Sequence, residues 1–497
     1  MLPRPFRPSR LALVAPVLVA LAACSESPTT PRPTPSAPSY STTPSTGTPT
    51  GKTVVVFRDT ASISSAALDL IASLGGVVTT RWDDVGVAFV TGLSTSALTT
   101  LLASDLVDDA GGDRILNWLP RTYLGGAMEG GVGTAARQNP AGASYMVDGR
   151  QWGMRLIKAN SAWAAGFLGT PSTRVAILDT GIDYEHRELR GIVDLDASAS
   201  FSQLIVSEDG VPAEVTSPVD PQYPTDRPFM DNHFHGTHVA ATVASNNISA
   251  AGVAPQATLI AVKVLSMIGS GTFESVASGI RHASEVAKAD VINMSLGANV
   301  DRNADGVPAL LKMMDRVIRA AEKNGTIVIS AAGNSAINLD VGSIVSTPCE
   351  QSTICVSATG PLLQQNFDQA ATYTNYGITA IEVAAPGGNA VDGDDTAYQT
   401  EDLIIGACSS RASEPGLAVC RVNAAGGPHF YAWAAGTSMA SPHVAGAAAL
   451  LKSAMPMLSV KGLRDRILKT ADDVQAPGRD VYTNYGRINV AAALGLE

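Results

Sequence analysis

The stretch RVAILDT, Arg174–Thr180, sets four apolar residues side by side and ends on an aspartate followed by a threonine. A strand with one wet face alternates apolar and polar residues, whereas an unbroken apolar run fits a strand buried on both faces. The same texture returns in LIAVKVL (Leu259–Leu265), DVINMSL (Asp290–Leu296), TIVISAA (Thr326–Ala332) and TICVSA (Thr353–Ala358). Helical patterns fill the intervals, as in FESVASGIRHASEVAKA (Phe273–Ala289) and LLKMMDRVIRAAEKN (Leu310–Asn324). This alternation predicts an α/β fold over residues 150–497, a mostly parallel sheet with helices on both faces. In such sheets functional groups gather at the carboxyl ends of the strands.

Upstream the order of elements changes. TVVVF (Thr53–Phe57), SSAALDLIASLG (Ser64–Gly75), GVVTTRW (Gly76–Trp82), VGVAFVTG (Val85–Gly92) and STSALTTLLAS (Ser94–Ser104) read as strand, helix, strand, strand, helix. With RILNWL (Arg114–Leu119) as the closing strand, residues 53–120 form a small α+β, ferredoxin-like unit. GGAMEGGVGTAARQNPAGAS (Gly125–Ser144) reads as exposed linker, so residues 121–149 are assigned to a linker that holds a processing site.

The first residues speak for export. Arg4, Arg7 and Arg10 precede LALVAPVLVALAA (Leu11–Ala23), an apolar run too short to span a bilayer. Residues 1–23 are therefore a signal peptide. LAAC (Leu21–Cys24) resembles the lipobox of bacterial lipoproteins, which implies acylation of Cys24 and a membrane-anchored precursor; an ordinary cleaved signal is the alternative. Residues 24–52 are dominated by Pro, Ser and Thr and should form a disordered tether. The other cysteines, Cys349, Cys355, Cys408 and Cys420, are an even set in an exported chain. Local pairing, 349 with 355 and 408 with 420, is the simplest of three connectivities. A net charge of −11 excludes the basic surface that nucleic acid requires.

Four residue types then stand out, three of them at strand ends or helix starts. Asp179 closes RVAILD; His235 lies in DNHFHGTHVAATVAS (Asp231–Ser245) with His233 and His238 nearby; Asn334 follows TIVISAAG; Ser438 opens GTSMASPHVAG (Gly436–Gly446). Three of them have another reading: Asp179 a helix cap, Ser438 an N-cap, and His235 with His238 a metal pair three residues apart. No HExxH pattern or neighbouring cysteine completes a metal site, and none is assigned. A serine hydroxyl needs a base to become a nucleophile, the base needs a carboxylate to orient it, and the oxyanion needs donors. Asp179, a histidine, Ser438 and Asn334 supply that set. Pro442 fits the first turn of the helix that Ser438 opens.

VAILDTGID, HGTHVA, AAGN and GTSMASPHVAG, in that order, resemble the signature blocks of the subtilisin-like serine peptidases; the likeness runs from QWGMRLIKANSAW (Gln151–Trp163) to YGRINVAAAL (Tyr485–Leu494). The resemblance implies a serine endopeptidase acting through an acyl-enzyme, with Asp179 orienting, His235 as base, Ser438 as nucleophile and Asn334 in the oxyanion hole. It selects His235 over His238, which residue chemistry alone leaves open. It further implies that Gly269, Ser270 and Gly271, and Ser295, Leu296 and Gly297, supply backbone edges that pair with an extended peptide substrate. The small unit resembles the inhibitory propeptide of the same family, removed by autoprocessing. The implied partners are protein or peptide substrates and the chain's own propeptide, in an exported monomer.

Several departures matter. Ala241 stands where the family has glycine, and Asp179 and His235 are 56 positions apart, with a polar, Pro-rich insertion at 203–228. ASNNISAAGVAP (Ala244–Pro255) is shorter than the calcium loop of many relatives. Asp301, Asn303 and Asp305 open like a calcium loop, yet Lys312 stands where the closing glutamate belongs. No cofactor is expected for the chemistry, and a structural calcium is left open. Two rival readings are a catalytically silent peptide-binding lipoprotein and a lipase; Ser438 lacks the G-x-S-x-G elbow of the latter.

Overall fold

The structure, a computed structural model, describes residues 44–497 apart from 120–121, 128–136, 203, 207–211, 215–218, 220–222, 392–393, 395, 413–419 and 425–426. The signal peptide, Cys24 and most of the tether lie outside the described residues. The small unit comprises β1 (Thr48–Phe57), α1 (Ser65–Ser73), β2 (Val77–Trp82), β3 (Val87–Thr91), α2 (Thr95–Leu102) and β4 (Val107–Asn117). Its strands pair antiparallel in the order β4-β1-β3-β2. Ser64 and Ser94 cap the two helices, their side chains accepting from the N–H of Ala67 and Ala97.

Two boundaries differ from the sequence reading. β1 begins at Thr48, inside the expected tether, because Thr48 and Pro49 pair with Ile115 and Arg114 of β4. β4 begins at Val107, seven residues before RILNWL, across a DD and a GG pair that carry no strand signal. The unbroken run Val54–Phe57 is explained by burial on both sides. Val55 and Phe57 face α1 and α2 with Ile71 and Leu101, whereas Val54 and Val56 share a core with residues of the large region.

After β5 (Tyr123–Ala127), three short helices follow, α3 (Ser144–Val147), α4 (Trp152–Leu156) and α5 (Ala159–Ala164). The 121–149 linker is thus partly structured: Tyr145 and Met146 are buried, and Tyr145 meets Tyr431 edge-on. Next come β6 (Arg174–Asp179), β7 (Ala199–Ser200), a β8–β9 hairpin (Leu204–Val206, Pro212–Glu214) within the 203–228 insertion, and α6 (His235–Val243). Then follow β10 (Thr258–Lys263), β11 (Ser270–Thr272), α7 (Phe273–Arg281), β12 (Val291–Met294), β13 (Ala298–Asp301) and α8 (Val307–Lys323). The rest is β14 (Ile327–Ala331), β15 (Ile344–Thr347), β16 (Ile354–Thr359), β17 (Val383–Pro386), β18 (Ile404–Ala407), β19 (Arg421–Ala424), β20 (Gly427–Ala435) and α9 (Thr437–Ala454).

Seven strands form one parallel sheet, β17-β16-β14-β12-β6-β10-β7. Successive residues of β6 feed opposite cores. Val175 and Ile177 join the core that holds Val239 of α6 and Val444 of α9; Ala176 and Leu178 join Val276 of α7 and Met313 of α8. That two-sided burial is what the unbroken apolar strands predict. Cys349 bonds Cys355 and Cys408 bonds Cys420, with Cα atoms 4.9 and 5.7 Å apart.

Candidate active site

The parallel strands deliver their C-terminal ends to one rim, and three of the four singled-out residues stand at that rim. Asp179 is the last residue of β6, His235 the first of α6, and Asn334 follows β14 by three positions. Ser438 is the second residue of α9, whose N-cap is Gly436, so the N-cap reading of Ser438 fails. All four are buried.

His235 Nδ1 lies 2.8 and 3.0 Å from the two carboxylate oxygens of Asp179, and both side chains are inaccessible to solvent. The Thr180 N–H also donates to Asp179 Oδ1 at 2.7 Å. A carboxylate on Nδ1 fixes that nitrogen as the donor and leaves Nε2 as the basic end. Nε2 is buried without a hydrogen-bond partner among the described residues. The close approach depends on Gly236, where a Cβ would sit 2.1 Å from the Gly181 carbonyl oxygen. A second layer holds the turn: Asp231 accepts from the hydroxyls of Thr180 and Thr237, and Lys263 donates to Asn232 Oδ1 and the Met230 carbonyl.

His238 does not compete for the role. Its Nε2 faces the carbonyls of Ile404 and Ala432, and burial lowers its pKa to about 4, which keeps it neutral. His233 is a loop residue stacked on Phe234, its pKa lowered by burial to about 3. Among the described residues no group of three or more His, Cys, Asp or Glu is placed to hold a metal ion.

Ser438 Oγ donates to the Ser295 carbonyl at 3.0 Å. The hydroxyl must rotate from that carbonyl to reach a base. Ser295 in turn donates to the Ser438 carbonyl at 2.8 Å. This second bond corrects the reading of Pro442, which lies in the second turn of α9 and not the first. Proline has no N–H to give the carbonyl four residues earlier, and Ser295 Oγ takes that place. Asn334 Oδ1 accepts both the N–H and the hydroxyl of Thr437, at 2.9 and 2.7 Å, so its amide N–H₂ faces away from Thr437. A Cβ on Gly436 would stand 2.9 Å from Asn334 Nδ2, so only glycine gives that amide room.

The expected substrate edges are occupied by the chain itself. β11 pairs antiparallel with the end of β4: Ser270 faces Asn117, Gly271 faces Leu116 and Thr272 faces Ile115. Trp118 N–H donates to Gly269 O at 2.9 Å, and Gly297 N–H donates to Trp118 O at 2.8 Å. The Trp118 indole donates to Gly271 O at 3.0 Å and meets Phe273 edge-on at 4.8 Å. Downstream, β5 pairs antiparallel with β20, Tyr123 opposite Ala435, three residues before Ser438. Paired chain therefore flanks the serine on both sides.

The sequence gives no sign of Glu188, which is fully buried and accepts five hydrogen bonds. They come from the N–H groups of Ile248, Ser249 and Ala250 and the hydroxyls of Ser245 and Tyr431. The loop that would ring a cation with carbonyls here turns N–H donors onto an anion, the wrong sign for calcium. In the Asp301–Asp305 turn, Asp301 accepts from the Asn303 N–H, and Lys312 reaches away to Asp109 and Asp108 of β4 at 3.0 and 3.4 Å.

Residues 171–486 match the family model described as Peptidase_S8, subtilase family. Subtilisin DY of Bacillus licheniformis is 34% identical over 344 residues, covering 69% of this chain and 97% of that protein. Subtilisin E of Bacillus subtilis (strain 168) is 33% identical, covering 69% and 70%. Among solved structures, the epidermin leader peptide processing serine protease of Staphylococcus aureus superposes with a TM-score of 0.65 at 19% identity, covering 90% of this chain and 98% of that one. With a family model spanning most of the large region and a curated relative matched almost end to end, the chain belongs to the subtilases and is a serine-type endopeptidase of subtilisin-like fold.

Proposed function

We propose that Ser438 is the nucleophile, His235 the general base, Asp179 its orienting carboxylate and Asn334 an oxyanion donor, acting on protein substrates. Ser438 Oγ turns from the Ser295 carbonyl, gives its proton to His235 Nε2 and attacks the scissile carbonyl. Asp179 stabilises the imidazolium that forms. The oxyanion is met by Asn334 Nδ2 and the Ser438 N–H at the positive end of α9. Collapse expels the amine, which takes the proton from His235, and water then hydrolyses the acyl-enzyme. Every step uses side chains and water, so no cofactor is required.

The small unit is the intramolecular inhibitor. The observation that carries this is the strand Leu116–Trp118 lying between Gly269–Gly271 and Gly297, with β5 leaving on the far side of Ser438. Autoprocessing falls between Leu119 and Tyr123, at the near edge of the 121–149 segment. Residues 1–23 direct export, and Cys24 anchors the precursor by its lipid. Cleavage leaves the lipid on the inhibitor side and releases the large region as a soluble monomer outside the cytoplasm.

Ser438→Ala tests the whole reading. The wild type should yield a shortened soluble form whose new N-terminus, by intact mass, lies within Leu119–Tyr123; the variant should stay full-length in the membrane fraction. A variant that is processed and digests protein at the wild-type rate would remove Ser438 from the mechanism. Mature enzyme retained in the membrane pellet after a high-salt wash would refute release.

A further inference from the structure

The contact between the small unit and the large region holds one buried carboxylate and, close by, a partly buried one paired with a cation. Asp113, on β4, is 1% exposed, and the Thr50 hydroxyl donates to its Oδ2 at 3.2 Å. Ile115 of β4 pairs with Thr272, the N-cap of α7, which sets Asp113 beside the first turn of that helix; there the Glu274 charge repels its carboxylate, and the Glu274 backbone N–H offsets part of that repulsion. Lys52 of β1 binds Glu274 at 2.6 Å, as does Thr80 of β2 at 2.5 Å. Arg114, the next residue along β4, is drawn off to the carbonyls of Thr46 and Asp305. From α8, Lys312 and Arg316 engage Asp108 and Asp109 at the other end of the strand. Among the described residues Asp113 has no ion-pair partner of its own. A buried acid facing a second acid holds its proton.

We propose that Asp113 and Glu274 form a proton-dependent latch between the small unit and α7, closed while Asp113 is protonated and loosened when the proton leaves. The proposal rests on the inhibitory reading of the small unit. Burial first, and the Glu274 charge second, raise the Asp113 pKa to about 7. A freed, solvated aspartate has a pKa near 3.9. The docked state therefore holds the proton more tightly than the released state. Its advantage is complete below about pH 4, falls by up to about tenfold per pH unit, and is gone above about pH 7. The inhibitor grips hardest in acid and lets go towards neutrality, so the precursor stays silent in an acidic setting and activates on reaching a neutral one.

The test uses the full chain. In a Ser438→Ala background, amide hydrogen-exchange protection of β4 and β11, corrected for intrinsic rate, reports opening of the latch without any proteolysis. With Asp113 present, protection should fall between pH 5 and 7 by up to tenfold per unit; Asp113→Asn should hold it level and exceed wild type at pH 8. Glu274→Gln removes the repulsion and should end the fall at a lower pH, an independent check should Asp113→Asn fold poorly. In the chain with Ser438 intact, Asp113→Asn should lengthen the lag before activity at pH 8 by tenfold or more. Protection that is the same in Asp113→Asn and wild type at every pH overturns the latch. Protection that responds while the lag does not overturns its regulatory role, and with it the inhibitory reading of the small unit.

Discussion

Replacing Glu188 by glutamine changes one oxygen into an N–H₂ and removes one charge, and the structure states what each change costs. Oε2 accepts from Ser245 Oγ at 2.7 Å and Ile248 N–H at 3.0 Å; Oε1 accepts from Ser249 N–H at 2.6 Å, Ala250 N–H at 3.1 Å and Tyr431 Oη at 2.7 Å. A hydroxyl can turn and accept, but a backbone N–H cannot. If the amide nitrogen takes the Oε2 position, the Ile248 N–H loses its acceptor; if it takes the Oε1 position, Ser249 and Ala250 both do. The less costly choice strands one buried donor, at about 1–3 kcal/mol, and the remaining bonds lose charge assistance of about 1 kcal/mol or more in total. The sum is about 2–5 kcal/mol, which for a region of this size lowers the melting temperature by several degrees. Calorimetry of full-length Ser438→Ala with and without Glu188→Gln, where autolysis cannot intrude, measures it. A shift below about one degree would show that the loop 245–251 is not held by this carboxylate. Calcium should not rescue the variant, since the loop directs N–H groups at the site.

Asn334→Ala should lower kcat by about 10²–10³ with little change in KM, the loss known for the oxyanion-hole asparagine of a subtilisin; an unchanged kcat per titrated site would exclude Asn334 from the oxyanion hole. Lys312→Glu turns two attractions, to Asp108 and Asp109, into repulsions across the docking face. It should shorten the activation lag severalfold at low salt and less at high salt, and a lag that ignores both charge and salt would refute an electrostatic contribution from α8.

What was legible in the sequence is what is governed by burial of whole strands. RVAILD, LIAVKV and TIVISA read as two-sided strands because Val175 and Ala176, adjacent in sequence, serve different cores. The rim that carries Asp179, His235 and Asn334 follows from the parallel sheet. The choice of His235 over His238 came from family resemblance; in three dimensions it rests on Asp179 reaching one ring and two carbonyls the other. β4 was half hidden because Asp108, Asp109, Gly111 and Gly112 suit a strand only where Lys312 and Arg316 wait opposite and Gly306 approaches closely. Glu188 was invisible for a similar reason. HRELR looks like a solvated run, and nothing local says that three N–H groups some sixty residues away will close on its glutamate.

The small unit's sheet has helices of its own on only one face. Its other face, with Val54, Val56, Val87 and Phe89, shares a core with Phe273 and Val276 of α7 and Met313 and Val317 of α8. Its outer strand, β4, is completed by β11, and Trp118 is buried against Phe273. Separation therefore exposes an apolar sheet face, an unpaired strand edge and an indole together. A unit of this size has little stability to lose on such exposure. On the proposed reading, the same contacts that hold the inhibitor in the cleft also hold it folded. Loosening at Asp113 and Glu274 then does more than shift a binding equilibrium: it releases a unit that tends to unfold and can be digested. Digestion removes the released inhibitor from the equilibrium, so a modest pH-dependent change in affinity becomes an activation that does not reverse.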